Sequence, residues 1–549
     1  MTVRLLGAAV AALAFALPAA AQAPAKGHAP ALTFQVAPGG KLLDDAKAIA
    51  QHIGGEMVLK EFETSIKNKL GDDGFLGVDM LRPIVGYTEL SETAEASGII
   101  VAVPITTEEQ FLALLKRTKI EAEAVKGDKG FYKLTAMDDQ KKGPTALRIV
   151  GKLAYLGTNV PDESLAKEKL VPAADLIDLK ETAAFAYRMH IARIPAGLRK
   201  QAFEAFDQFA EQLKGMPGGT WFEGFAKTAG EAAAKLVKRF GDQVFNDGDV
   251  VAVRIRLDAA KAEAGLELAL SGKKGSKLAA DVAARKPSTN RFAGIVGPDA
   301  VGSAKVQLPL FVPELQALAA AGLELAQKSA GEGAPEIAKA SVEELLKGLI
   351  RSVKAGDFDM AACLAGPDAA GTYTGIVAVS FDNPIALEKA IRKLVFDSPD
   401  EILKLVKLDV AKVNGTSIHE ADFSGLIPPE AKIVFGEKAV LGVALAPKGI
   451  YLAIGPDARK LLTAALKAEP APARVLDLAI NPARLAKVMA AIQGDDAAKK
   501  IAEVVGTTDA LLSVLSLSVE GGDELRVRIG FHLKVLAGGV FAGRAVPLP

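Results

Sequence analysis

The groups with reactive potential are five histidines, one cysteine and 66 Asp and Glu residues, and their spacing assembles none of the common catalytic or metal centres. His28, His52, His190, His419 and His532 form no pair at ligand spacing, no H-E-x-x-H and no Cys–His zinc pattern. His190, His419 and His532 lie in strand-like contexts and read as structural histidines. Cys363 stands among Met360, Ala361, Ala362 and Leu364, where a thiol is a small buried hydrophobe. No G-x-S-x-G elbow presents a serine nucleophile. No G-x-x-x-x-G-K or G-x-G-x-x-G loop cradles a phosphate; Gly272-Lys273-Lys274-Gly275-Ser276-Lys277 is a turn after a strand. Asp72-Asp73-Gly74 and Asn246-Asp247-Gly248-Asp249 have the composition of calcium loops but not their spacing, and read as turns. Asp79 and Asp359 stand before Met80 and Met360, so the two acids look like equivalent capping positions of two related segments. No catalytic, cofactor-binding or metal residue is assigned, and no cofactor is expected.

Composition narrows the partners. The 549 residues carry 66 Lys and Arg against 66 Asp and Glu, which excludes the basic excess that nucleic acid and anionic membranes call for. Aromatic residues are 5% of the chain, with Trp221 the single tryptophan, too few for the stacking platforms that bind single-stranded nucleic acid.

The N-terminus reads as an export signal over residues 1–21. Arg4 supplies the positive end, Leu5 to Leu17 the apolar core, Pro18 the break, and Ala19 and Ala21 the small-x-small site before Gln22. The apolar run is shorter than the roughly 20 residues that span a bilayer. Residues 22–31 follow as a flexible leader. Loss of Arg4 leaves 65 cations against 66 acids, a formal charge of −1. No later stretch is apolar enough to span, since Leu315 to Leu325 is interrupted by Glu324. A lone cysteine permits no intramolecular disulfide, so stability must come from packed cores.

The organising feature is a long internal repeat. Ile100-Val101-Ala102-Val103 recurs as Ile376-Val377-Ala378-Val379, 276 positions on (376 − 100). A helix start follows each run, capped by Thr107 with Gln110 in the first and by Asn383 with Pro384 in the second. Gly130 and Gly415 each open a strand, Tyr155 and Tyr451 each sit in the next hairpin, and Pro161-Asp162 and Pro456-Asp457 each lead into a helix. Further strands are expected at 184–190 and 475–480, at 250–257 and 512–519, and at 264–270 and 525–533. Helices are expected at 195–213 and 221–240. The alternation of Val251, Val253, Ile255 and Leu257 with Ala252, Arg254 and Arg256 predicts a buried aliphatic face and a solvated arginine face.

The expected fold is therefore α+β: two tandem homologous domains, 32–284 and 291–549, each an antiparallel sheet with helices packed on one face, joined by a linker at 285–290. At IVAVPITTEEQFLALLK and IVAVSFDNPIALEKAIRK, and at AYLGTNVPDESL and IYLAIGPDARKLL, the chain resembles a group of uncharacterised exported bacterial proteins, a planctomycete-like domain-of-unknown-function family. The resemblance implies secretion and an α+β repeat, and carries no catalytic residues.

These readings make the protein an exported, non-enzymatic binding or scaffold protein of the periplasm or cell envelope, whose partner is a small ligand or an envelope protein. One alternative is a hydrolase with carboxylates such as Asp79 and Asp359 brought together from distant segments. Another is a protein-interaction module marked by an exposed apolar patch.

Overall fold

The computed structural model describes residues 29–90, 98–136, 144–214, 223–297, 300–307, 336–356, 358–422, 424–425, 427, 429–493 and 515–532. The export signal, most of the leader, Trp221 and the segment Leu315 to Leu325 lie outside these residues. The chain divides into two compact units, Met1–Gln208 with Phe240–Ala280, and Phe209–Arg239 with Asp281–Pro549.

The first unit contains strands β1 (Leu32–Val36), β2 (Ile84–Glu89), β3 (Gly98–Pro104), β4 (Ile120–Ala124), β5 (Phe131–Ala136), β6 (Ala146–Val150), β7 (Leu153–Thr158), β8 (Phe185–His190), β9 (Gly248–Asp258) and β10 (Glu263–Gly272). They lie side by side in the order β4-β5-β6-β7-β3-β2-β1-β8-β9-β10, every neighbour antiparallel.

In the second unit a short ribbon pairs β11 (Ser288–Asn290) with β19 (Ala471–Ala473). Its main strands are β12 (Ala300–Gln307), β13 (Asp359–Ala365), β14 (Thr374–Ser380), β15 (Val406–Val413), β16 (Thr416–Asp422), β17 (Val440–Ala446), β18 (Gly449–Gly455), β20 (Leu476–Ile480), β21 (Leu515–Glu520) and β22 (Leu525–His532). Their order is β15-β16-β17-β18-β14-β13-β12-β20-β21-β22, again antiparallel throughout. Leaving the ribbon aside, the two units have the same lateral order, strand for strand.

Local sequence explains the repeated elements. Gly130 and Gly415 hold positive φ of 80° and 84° at the turns into β5 and β16, a conformation that favours glycine. Helix α2 (Glu108–Arg117) begins where the Thr107 side chain accepts from the Gln110 amide at 3.2 Å. Its Glu108 and Glu109 face the positive end of the helix dipole, and Lys116 and Arg117 the negative end. Helix α7 (Pro384–Phe396) begins in the same way, with Asn383 accepting from Ala386 at 3.2 Å and proline at the first helical position. The two helices expected between 195 and 240 are α4 (Ala196–Lys214) and α5 (Glu223–Asp247); α1 (Gly39–Leu70) joins β1 to β2, and α6 (Glu336–Ala355) precedes β13.

Helices cover both faces of the sheets, which corrects the one-face expectation. In the first unit Ile100, Ala102, Tyr87 and Tyr155 pack with Leu165 and with Ala173 and Leu176 of α3 (Ala173–Leu176). Val103, Leu147 and Ala154 point the other way, against Phe111, Leu114 and Leu115 of α2. The second unit repeats the division. Ile376, Ala444 and Ala453 pack with Leu462 of α8 (Ala458–Ala465), while Leu445 and Ile450 meet Leu387 of α7. Central strands such as β6 are buried on both sides, so each side needs its own cover.

Three further expectations change. The segment 285–290 is not a bare linker, because Ser288–Asn290 is a strand and Asn290 is fully buried. The leader ends in packed structure: Ala31 is buried and its carbonyl accepts from the His190 amide at 2.7 Å. In β9 the expected alternation fails around Arg254, which is only 7% exposed beside an Ile255 that is 43% exposed, while Val251 is buried as expected. Arg254 is buried because Nε meets Glu181 at 3.0 Å and Nη1 meets Glu267 at 2.9 Å, and Arg256 adds a second guanidinium to Glu267 at 3.2 Å. Burial pushes the Glu181 carboxyl up, but the Ala183 amide and the Arg254 and Arg188 guanidinia outweigh it and hold it below the usual range. Removing one member of such a cluster leaves buried charge without compensation. Arg254→Met should therefore lower the unfolding free energy by about 3–5 kcal/mol, measured by urea denaturation. A loss below about 1 kcal/mol, the value of an exposed ion pair, would contradict the assignment.

Candidate functional site

Each unit contains a cavity that reaches the start of its first long strand. In the first unit, a cavity of about 510 Å³ is lined by Pro30, Thr33, Arg188, His190 and Arg193 and by residues of the segment 168–178, which contains α3. Strand β8 lies beside β1 with Thr33 opposite Arg188, which brings His190 and Arg193 to the start of β1. There Arg193 Nη1 donates to the Pro30 carbonyl at 3.0 Å. The segment is fastened to β1 by Gln35, whose side-chain amide donates to the Asp178 carbonyl at 3.2 Å and accepts from the Asp178 N–H at 2.8 Å. Arg188 reaches Asp178 at 3.0 Å and Glu181 at 2.6 Å.

The second unit repeats this corner. The Asn481 amide donates to the Val301 carbonyl at 2.8 Å, as His190 does to Ala31, and Arg484 Nη1 lies 3.5 Å from the Ala300 carbonyl, as Arg193 does from Pro30. Asn481 also accepts from the Arg484 amide at 3.1 Å, capping helix α9 (Pro482–Gln493). Arg484 is one wall of a cavity of about 790 Å³. Its apolar lining includes Ile295, Cys363, Ala365, Ile376 and Leu461, and its polar groups are Asp368, Thr372, Thr374, Asp457, Lys460, Arg484 and Lys487. Helix α8 is held over the sheet by the Asp457 amide, which donates to Thr374 Oγ1 at 3.2 Å. Lys460 lies 3.3 Å from Asp457. The Asp368 carboxylate is absorbed by its own turn, accepting from the amides of Ala370 (2.9 Å) and Thr372 (2.8 Å) and from the Thr372 hydroxyl (2.8 Å).

Register matches one sheet position between the two units. Tyr87 is opposite Thr33 and Ile100 in the first unit, and Cys363 is opposite Ser303 and Ile376 in the second. The same sheet position holds a buried tyrosine in one unit and a cysteine in the other. Burial pushes the Cys363 thiol up, so it stays protonated and serves as a wall.

Register also separates Asp79 from Asp359. Val85 opposite Ala102 corresponds to Ala361 opposite Ala378, which aligns Asp359 with Pro83. Asp79 closes a turn, accepting from the Leu81 amide at 3.1 Å, and Asp359 accepts from Arg291 Nε at 2.9 Å. Neither lines either cavity. Asp72 and Asp73 lie in a turn and pair with Lys67 and Arg117, whereas Asn246 to Asp249 is not the expected turn: it spans the last residues of α5 and the first of β9, where the carbonyls of Asn246 and Asp247 accept from Lys273. Among the described residues no group of three His, Cys, Asp or Glu could hold a metal ion, and no helix is long and apolar enough to cross a membrane. His52 is exposed on α1, His532 is buried at the end of β22, and His28 lies outside the described residues.

The arginines at the cavity corners escape a search for catalytic motifs. Their signal is His190-Ile191-Ala192-Arg193 against Asn481-Pro482-Ala483-Arg484, an Ala-Arg one turn beyond the same strand of each repeat. Comparison with protein-family models, curated proteins and solved structures finds no match to this chain.

His419 is buried in β16, where Nδ1 accepts from the Asp409 amide at 3.1 Å and Nε2 has no hydrogen-bond partner. Burial, followed by the Arg392 charge, lowers its pKa against the opposing pull of Asp409 and Glu388. The folded state thus disfavours the imidazolium, so stability from this residue is full above its ordinary pKa of about 6.5 and falls as pH drops below it. His419→Gln retains an acceptor without the titration. Its urea-unfolding free energy should fall less steeply than wild type between pH 7 and pH 5, and an identical slope would refute the role assigned to His419.

Proposed function

We propose that this chain is an exported, non-enzymatic binding protein of the periplasm or cell envelope, composed of two homologous α+β domains that arose by duplication. The observation that carries the reading is the repeated corner: His190 and Arg193 on Ala31 and Pro30, and Asn481 and Arg484 on Val301 and Ala300, each beside a cavity. Volumes of about 510 and 790 Å³ lie within the range of roughly 300–1,000 Å³ that small-molecule sites occupy. Both cavities mix apolar walls with a few fixed polar groups, the composition of a site that orients a ligand. The shared lateral order of ten strands supports duplication, and residues 1–21 support export. The carboxylates on which a hydrolase reading rests, Asp79 and Asp359, are engaged in a turn and an ion pair.

The test is native mass spectrometry of the chain isolated from the envelope fraction of its own cells. The expected result is a polypeptide beginning at Gln22 with a reproducible extra mass that leaves on denaturation. A bare polypeptide would overturn the carrier reading and favour a scaffold that pairs with an envelope protein. A polypeptide still beginning at Met1 and confined to the cytosol would overturn export.

A further inference from the structure

We infer that the cavity of the first unit takes a small organic monocarboxylate, whose carboxylate meets Thr33, His190 and Arg193. This rests on the binding reading above and adds the ligand class. Thr33 on β1 lies opposite Arg188 on β8, and His190 is two residues further along β8, so register puts the three side chains on one face of the sheet. Tyr87, opposite Thr33 on the next strand, packs on that same face with Ala173 and Leu176 of α3. The cavity therefore lies between this face and the segment 168–178.

The groups at this corner are donors without acceptors. Thr33 is 8% exposed, and its hydroxyl has no hydrogen-bond partner among the described residues. Burying an unpartnered hydroxyl is costly, so its partner has to come from the occupant of the cavity. The amide of His190 is held by the Ala31 carbonyl, but its half-buried imidazole makes no hydrogen bond to the described residues. Arg193 uses Nη1 on the Pro30 carbonyl, which leaves the other N–H groups of the fork. Arg188 is spent on Asp178 and Glu181 and serves as a fixed wall. A hydroxyl, an imidazole and a guanidinium together match the lone pairs of a carboxylate. The acids around them set the limit of one charge. Asp178 is taken by Arg188 and the Lys180 amide, and Asp249 of β9 acts on His190. Glu168, Lys169 and Asp175 are exposed on the covering segment, carry both signs and are screened by water. The single cation Arg193 in this company suits a monoanion better than a phosphate dianion. A carboxylate alone fills little of about 510 Å³, and Leu170, Val171, Leu176 and Ile177 line room for a short carbon skeleton.

The second unit supplies the internal contrast. By register Ser303 stands in the place of Thr33, Ala479 in that of Arg188 and Asn481 in that of His190. The Asn481 side chain is engaged as a helix cap by the Arg484 amide, whereas His190 caps nothing. The donor set thus belongs to the first unit, and the expected stoichiometry is one carboxylate per chain.

The experiment is calorimetric titration of the full exported chain, stripped of bound material, with 4-methylpentanoate, 4-methylpentanamide and 3-methylbutyl phosphate. At pH 7 the carboxylate should bind at one site, and the amide and the phosphate at least about tenfold more weakly. Thr33→Val and Arg193→Gln should each lose about tenfold in affinity for the carboxylate, with circular dichroism showing that both variants fold. A further readout is the pH profile. Burial, followed by the Arg193 charge, holds the His190 imidazole below its ordinary pKa, with Asp249 opposing and Arg188 adding to the effect. A carboxylate beside it favours the imidazolium, so affinity should rise from pH 7.5 to pH 5.5, and His190→Asn should flatten that rise. Equal affinity for the carboxylate and the amide, or unchanged carboxylate affinity in both Thr33→Val and Arg193→Gln, would overturn the inference. A native cargo that 4-methylpentanoate fails to displace would overturn the ligand class while leaving the binding reading intact; absence of any cargo together with no titration signal would remove both.

Discussion

Strand β6 has buried side chains at four successive positions, Ala146, Leu147, Arg148 and Ile149, so neither face of its sheet can be left to water. The connections are arranged by that constraint. The chain leaves β3 and β14 into α2 and α7, which cover one face, and leaves β7 and β18 into segments that cover the other before reaching β8 and β20. The cavities lie beneath this second cover. One sheet position differs between the units in bulk: Tyr87 in the first is matched by Cys363 in the second.

Polar groups in the interior follow the same accounting. Arg148 is buried against Leu165, whose carbonyl accepts from Nε at 3.0 Å, and its guanidinium forms a two-pronged pair with Asp128 over the ring of Phe131. At the other end of the sheet, Arg256 on β9 meets Glu267 on β10 at 3.2 Å, and Glu520 on β21 meets Arg528 on β22 at 2.8 Å. Arg254 opposite Glu267 corresponds in register to Ser518 opposite Arg528. The diagonal ion pair is therefore kept with its signs exchanged. Coulomb attraction is indifferent to which strand carries which charge, whereas a single reversal would put like charges together.

The fold was legible where the signal is local. Caps at Thr107 and Asn383, the turn glycines Gly130 and Gly415, and apolar alternation place strands and helices close to their observed positions, because a few neighbouring residues determine each. The recurrence of Ile-Val-Ala-Val also marks equivalent places: Ala102 lies opposite Tyr155 and Ala378 opposite Tyr451. Sequence spacing misled at Asp79 and Asp359, because the two connections before β2 and β13 differ and a match of three residues does not set a register.

By itself the sequence determined an α+β chain with a repeated strand-to-helix unit, a turn at Asp72-Asp73-Gly74, and a lone cysteine in apolar company. Only the tertiary structure decided which strands are neighbours, that both sheet faces are covered, that Arg254 is inside with Glu181 and Glu267, and that Arg193 and Arg484 stand at cavity corners. Caps and alternation act over a few residues. Pairing such as Thr33 with Arg188, or Ala304 with Leu478, joins positions more than a hundred residues apart. The side chains that meet across such pairs decide which charges can be buried and where space is left.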